Sequence, residues 1–74
     1  MMDHWNYRVM RWEKSGESWC TIHEVYYNEN NKPKWYSASA QEPFGDNKEE
    51  LRECIELMLE AFNKPILTEE DFKS

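Results

Sequence analysis

Asp46 to Asn63, DNKEELRECIELMLEAFN, is the stretch from which the rest of the fold follows. At about 100° per residue, Leu51, Cys54, Ile55, Met58, Leu59 and Phe62 fall on one side of a helix, and Glu49, Glu53, Glu56 and Glu60 on the other. Asp46 is the expected N-cap, its carboxylate accepting an orphan N–H of the first turn, with Glu49 completing a capping box. At the far end, Asn63 suits a left-handed closing residue, Lys64 suits the negative end of the dipole, and Pro65 cannot continue the ladder. One helix cannot bury its own apolar stripe, so the residues before it must supply a surface.

Those residues read as strands. Trp5 to Trp12, WNYRVMRW, is rich in β-branched and aromatic residues, and Glu13 to Ser18 is a polar connection holding one Gly. Trp19 to Tyr27, WCTIHEVYY, is the strongest strand; Asn28 to Pro33 is a turn; Lys34 to Ala40 is a weaker third strand; Gln41 to Gly45 crosses to the helix. Met1 to His4 is expected to fray. Beyond the helix, Ile66 and Leu67 pack at an edge, and Thr68 to Asp71 start a last helical turn around Phe72. The expected fold is α+β: a three-stranded antiparallel meander with one amphipathic helix packed across one face (βββα) and a short C-terminal tail, all one domain over residues 1–74.

Strand parity splits the sheet side chains into two sets. Tyr7, Val9, Cys20, Ile22, Tyr26, Tyr36, Ala38 and Ala40 are assigned to the helix, because small alanines let it approach closely. The other face then carries Met10, Trp12, Trp19, His23, Val25, Tyr27 and Trp35. A single helix covers one face only, and apolar patches above a few hundred Å² usually mark an interface. Met10, Trp12, Trp19, Val25, Tyr27 and Trp35 are therefore predicted to bind a partner, most simply the same face of a second copy in a two-fold homodimer. The competing expectation is that the tail folds back over this face, or that the stems of Arg8 and Lys34 screen it. A bulge in the second strand would invert part of the parity.

At 74 residues the chain is small, and eleven aromatics compensate, each able to bury roughly 150–250 Å². Net charge is −6, all of it in residues 41–74, which carry four Lys/Arg against ten Asp/Glu. That balance argues against phosphate or anionic lipid surfaces, whose binding depends on Lys/Arg, and favours a basic protein partner. Two cysteines, no signal peptide and no apolar run of spanning length lead to a cytoplasmic protein with reduced thiols and no membrane contact.

The residues offer little chemistry. Cys20 and His23 have C-x-x-H spacing, but on a strand they point to opposite faces, and a structural zinc needs four ligands. His23 and Glu24, as strand neighbours, do not face each other, whereas Arg11 and Glu24 share a parity and are expected to pair across strands. No metal, cofactor or catalytic set is predicted, and with only Gly16 and Gly45 there is no phosphate loop. Stacking of single-stranded nucleic acid would need a cationic rim, for which only Arg8, Arg11, Lys32 and Lys34 are on offer, so it is not favoured. The carboxylate row Glu49, Glu53, Glu56 and Glu60 is either a solvated helix face or a strip that meets a basic partner. As a nucleic-acid mimic it would need to be continuous with Glu69, Glu70 and Asp71.

The run Gly45-Asp46-Asn47-Lys48-Glu49-Glu50-Leu51, followed by Ile55, Met58 and Ala61, resembles the segment of HicB-like antitoxin domains in which three strands deliver a helix start. The whole chain is also similar to short uncharacterised bacterial proteins through Tyr7-Arg8-Val9, Ile22 to Tyr27, Lys32-Pro33 and Lys64 to Leu67. The resemblance implies a βββα module that dimerises or clamps a basic toxin. Where the antitoxin pattern has Pro-Gly before the helix, this chain has Pro43-Phe44-Gly45, and no DNA-binding segment follows, so operator binding is not expected. The reading is a non-enzymatic protein-interaction module.

Overall fold

Ser15 and Gly16 both have positive φ, 53° and 84°. This turn geometry matches the twist of a two-residue hairpin, and it joins β1 (His4–Lys14) to β2 (Glu17–Tyr27). The structure is a computed structural model that describes residues 4–73; of the expected frayed start, Met1 to Asp3 lie outside the described residues, and His4 opens β1. The two strands pair antiparallel in unbroken register, from His4 opposite Tyr27 to Lys14 opposite Glu17. Both therefore run further than their apolar content suggests, because the turn consumes only two residues and the polar flanks continue the ladder.

At the other end Asn28 builds the second turn, its Oδ1 accepting the backbone N–H of Asn30 at 2.8 Å and of Lys32 at 3.1 Å. Asn31 supplies the left-handed residue, φ 62°. β3 then spans only Pro33–Tyr36. Past Tyr36 the chain stays beside β2 through Ser37 N–H to the Glu24 carbonyl and Gln41 N–H to the Ile22 carbonyl, without regular pairing. The strand order is β1-β2-β3 in one antiparallel sheet, and α1 (Lys48–Glu60) follows it, giving a small α+β protein of βββα order.

Two local expectations change. Tyr26 faces Trp35 but Tyr27 faces Pro33, so Lys34 is an extra residue in β3. This bulge puts Tyr36 opposite Val25 and Trp35 opposite Tyr26, which exchanges the faces expected for Tyr36 and Trp35. The helix cap is Asn47, not Asp46: the Asn47 Oδ1 accepts the Glu50 N–H at 2.9 Å, and the Glu50 carboxylate accepts the Asp46 N–H at 3.1 Å. The capping frame is thus one residue later, and Gly45 lies so close to the first turn that a Cβ there would run into the backbone of Glu50 and Leu51. At the C-terminus α1 tightens into a 3-10 turn over Ala61–Asn63 and leaves through Lys64 in extended conformation, φ −117°. Asn63 is not left-handed; Pro65 forces the residue before it out of the helical region, and that alone ends the helix.

α1 sits on the face of Tyr7 and Val9, as parity predicts: the Tyr7 hydroxyl lies 3.7 Å from Cys54 Sγ. The tail takes the opposite face. Leu67 pairs in parallel with Met10 at the outer edge of β1, its N–H bonded to the Val9 carbonyl at 3.0 Å and its carbonyl accepting the Arg11 N–H at 2.9 Å. A 3-10 turn, Glu69–Phe72, capped reciprocally by Thr68 and Asp71, then carries Phe72 onto Tyr36 at a ring separation of 4.8 Å. Met10 and Val25 are fully buried there with Tyr27 and Leu67, and Trp12, Tyr36 and Phe72 close the sides. The main core thus lies under the tail, not under the helix.

Candidate docking surface

Helix α1 is only half seated. It rests on β1 and makes little contact with β2, so Met58 is its one buried side chain, with Ala61 in the following turn. Cys54 is half-buried against Tyr7, and the other four residues of the stripe are open to solvent: Leu51, Ile55, Leu59 and Phe62 are 37, 40, 58 and 65% exposed. The stripe spans more of the helix circumference than a single strand can cover, so one half finds β1 and the other half finds solvent.

Two hollows adjoin that exposed half. Val9, Cys20 and Ile22 floor a trough of about 400 Å³ walled by Met58 and Phe62 on the helix side and by Ala40 and Pro43 of the crossover. A shallower hollow of about 390 Å³ runs along the helix between Leu51, Ile55, Leu59 and the charged residues Lys48, Arg52 and Glu56. Phe62 lies within helical reach of Leu59 and also lines the trough, so the two form one apolar surface.

Aromatic side chains continue the same face beyond the helix. Trp5, Tyr26 and Trp35 are register partners across all three strands, with Trp5 and Trp35 46 and 58% exposed. Trp5 meets Tyr7 edge-on at 5.2 Å, and with Leu57, Glu60 and Lys64 they line a hollow of about 360 Å³. Burial, followed by the hydrogen bond to Cys54 and by the neighbouring Cys54, Glu24 and Tyr26, pushes the Tyr7 hydroxyl up to about 12. Tyr26, which donates to the Glu24 carboxylate, is raised chiefly by that bond. Tyr36 on the opposite face is raised chiefly by burial, then by its 3.0 Å bond to Glu69.

No family model, curated protein or solved structure matches this chain.

The surface predicted from parity is not the open one. Met10 and Val25 have no exposed area, Tyr27 retains 6%, and Trp12 is half-buried with its indole N–H bonded to Thr21 Oγ1 at 2.8 Å. Trp35 has moved to the helix face, leaving only Trp19, opposite Trp12 on the projecting hairpin, exposed at 46%. The tail is what covers them. Its grip depends on Arg8, itself buried, whose Nη1 donates to the Tyr27 hydroxyl at 2.8 Å and whose Nη2 donates to the Pro65 carbonyl at 2.7 Å. Arg8 Nε has no acceptor among the described residues; the guanidinium works as a clamp on backbone and phenol rather than as an ion pair.

Cys20 and His23 lie on opposite faces, as their spacing implies: Cys20 is exposed in the trough and His23 is buried under the tail. Trp12 can only donate to Thr21 Oγ1, so that hydroxyl is free to donate to His23 Nε2 at 2.8 Å, while Nδ1–H donates to the Ser37 carbonyl at 2.9 Å. Both ring nitrogens are thereby committed to structure. Among the described residues no three His, Cys, Asp or Glu side chains are grouped to hold a metal. Arg11 does not reach Glu24: Arg11 is opposite Cys20 and pairs with Glu13 at 2.9 Å, because it sits four register positions from Tyr7, the actual partner of Glu24.

Glu49, Glu53, Glu56 and Glu60 are all exposed on α1, with Arg52 3.5 Å from Glu56. Glu69 bonds to Tyr36 on the face opposite the helix, so the carboxylates of the tail and of α1 stand on opposite sides of the sheet.

Proposed function

We propose that the protein is a non-enzymatic interaction module that self-associates, and that it does so through the uncovered half of α1 and the adjoining trough. The observation that carries this reading is the exposed row Leu51, Ile55, Leu59 and Phe62, since contiguous apolar surface of this kind is uncommon on monomers that stay apart.

Sedimentation equilibrium tests the reading. The wild-type chain should show concentration-dependent dimerisation, and Ile55→Glu should abolish it while leaving the far-ultraviolet circular dichroism unchanged, because Ile55 touches solvent already. A monomeric mass up to about 1 mM, where association would be worth less than roughly 4 kcal/mol, would overturn it.

A further inference from the structure

The border of the exposed helix edge is charged, and the order of the charges distinguishes one orientation of a second copy from the other. Lys48 and Arg52 stand toward the N-terminal half of α1 and Glu56 toward the C-terminal half, all beside the hollow formed with Leu51, Ile55 and Leu59. Arg52 Nε lies 3.5 Å from Glu56 Oε2, which places both on the same flank, and their side chains are 82 and 60% exposed. The pair is exposed to solvent, so exchanging it for a contact with another chain costs little.

Consider a second α1 laid against this edge. In parallel orientation the two-fold runs along the helices, so the flank of Arg52 and Glu56 on each copy faces the Leu51 side of the other and neither charge meets its opposite. In antiparallel orientation about a two-fold axis near Ile55, Arg52 of each copy meets Glu56 of the other, Leu51 rests against Leu59, and the two macrodipoles oppose. The apolar positions suit such a seam: Ile55, Leu59 and Phe62 follow at steps of four and three residues, with Arg52 and Glu56 on its border.

We infer that two copies pair through α1 as antiparallel helices across a two-fold axis near Ile55, with reciprocal Arg52–Glu56 contacts between the copies. This inference rests on the self-association reading and adds its orientation and its charge code. Ile55 lies closest to the axis, and the seam runs along the trough of each copy, which Phe62 of the same copy walls.

Engineered cysteines read the orientation directly. In a Cys20→Ser, Cys54→Ser background, Leu51→Cys protein mixed with Leu59→Cys protein should cross-link on mild oxidation. Leu51→Cys alone should not, because two copies of that position would stand about 12 Å apart along the antiparallel axis, beyond the reach of roughly 7 Å that a disulfide allows. In sedimentation at low salt, Arg52→Glu should weaken dimerisation by roughly tenfold, and Arg52→Glu/Glu56→Arg should restore it. Self-linking of Leu51→Cys would show a parallel pair and overturn the inference. So would an Arg52→Glu chain that dimerises like the wild type, while leaving self-association itself intact. A wild-type chain that stays monomeric, measured first, would remove both.

Discussion

The two faces of the sheet are covered by elements of unequal length, and the shorter one buries more. The tail from Pro65 to Phe72 closes over Met10, Val25 and Tyr27, whereas the thirteen residues of α1 bury only Met58. The difference lies in how each is held. Leu67 is bonded through its backbone to both Val9 and Arg11, Arg8 fixes the Pro65 carbonyl, and Phe72 leans on Tyr36. By contrast, among the described residues the one side-chain hydrogen bond between α1 and the sheet is the long Tyr7–Cys54 contact. Directional bonds at the sheet edge seat a short segment closely; an amphipathic stripe wider than the strand beneath it seats a long one loosely.

Truncation on the two faces should separate them most clearly. Met10→Ala removes a side chain with no exposed area and should cost about 2–5 kcal/mol, comparable with the whole stability of a domain this small, about 3–5 kcal/mol. Thermal unfolding should shift down by more than about 10 °C or show no folded baseline. Leu59→Ala, on the exposed helix edge, should stay within about 0.5 kcal/mol when measured on dilute monomer. Equal losses at the two positions would mean that α1 is seated as firmly as the tail.

That contrast also marks where the residues alone could be read and where they could not. The strand order and the helix follow from local pattern: alternating β-branched and aromatic residues in Trp19 to Tyr27, and apolar residues from Leu51 to Phe62 at helical spacing. The bulge at Lys34 leaves no such mark, since one unpaired residue changes the face of Trp35 and Tyr36 without changing any composition. The sequence places the tail at an edge with a turn around Phe72, but its hold on the sheet needs Arg8 and Pro65, 57 residues apart. A buried Arg is rare, so the sequence points Arg8 to the surface, as a screening stem or part of a cationic rim, and not to a clamp. The open half of the helix stripe had one legible sign: six apolar positions are more than a lone three-stranded sheet with an edge-seated helix can cover.

A smaller effect sharpens the account of how α1 begins. Asn47→Ala removes the acceptor for the Glu50 N–H and should cost about 1 kcal/mol. Asp46→Ala should cost less, since the Asp46 backbone N–H, rather than its carboxylate, makes the bond to Glu50. Chemical denaturation of the two variants orders them; the reverse order would restore Asp46 as the cap.

The smallest effect concerns the Tyr7–Cys54 bond between helix and sheet, and it appears only at high pH. The Tyr7 hydroxyl is pushed up to about 12 by burial first and by Cys54 second, whereas an unfolded tyrosine ionises near 10. The folded state therefore keeps its proton where the unfolded state has released it. Stability from this group is complete below about pH 10 and declines as the pH rises toward 12. Tyr26 and Tyr36 are raised in the same direction, so the wild type should lose stability through that window by three contributions. Tyr7→Phe cannot ionise and should flatten the decline without removing it, which urea titrations at pH 9, 10 and 11, each value on the order of one unit apart, would record as a smaller drop in midpoint than the wild type shows. A variant whose midpoint falls as steeply as the wild type would place Tyr7 in water, and with it would go the last polar tether that holds α1 to β1.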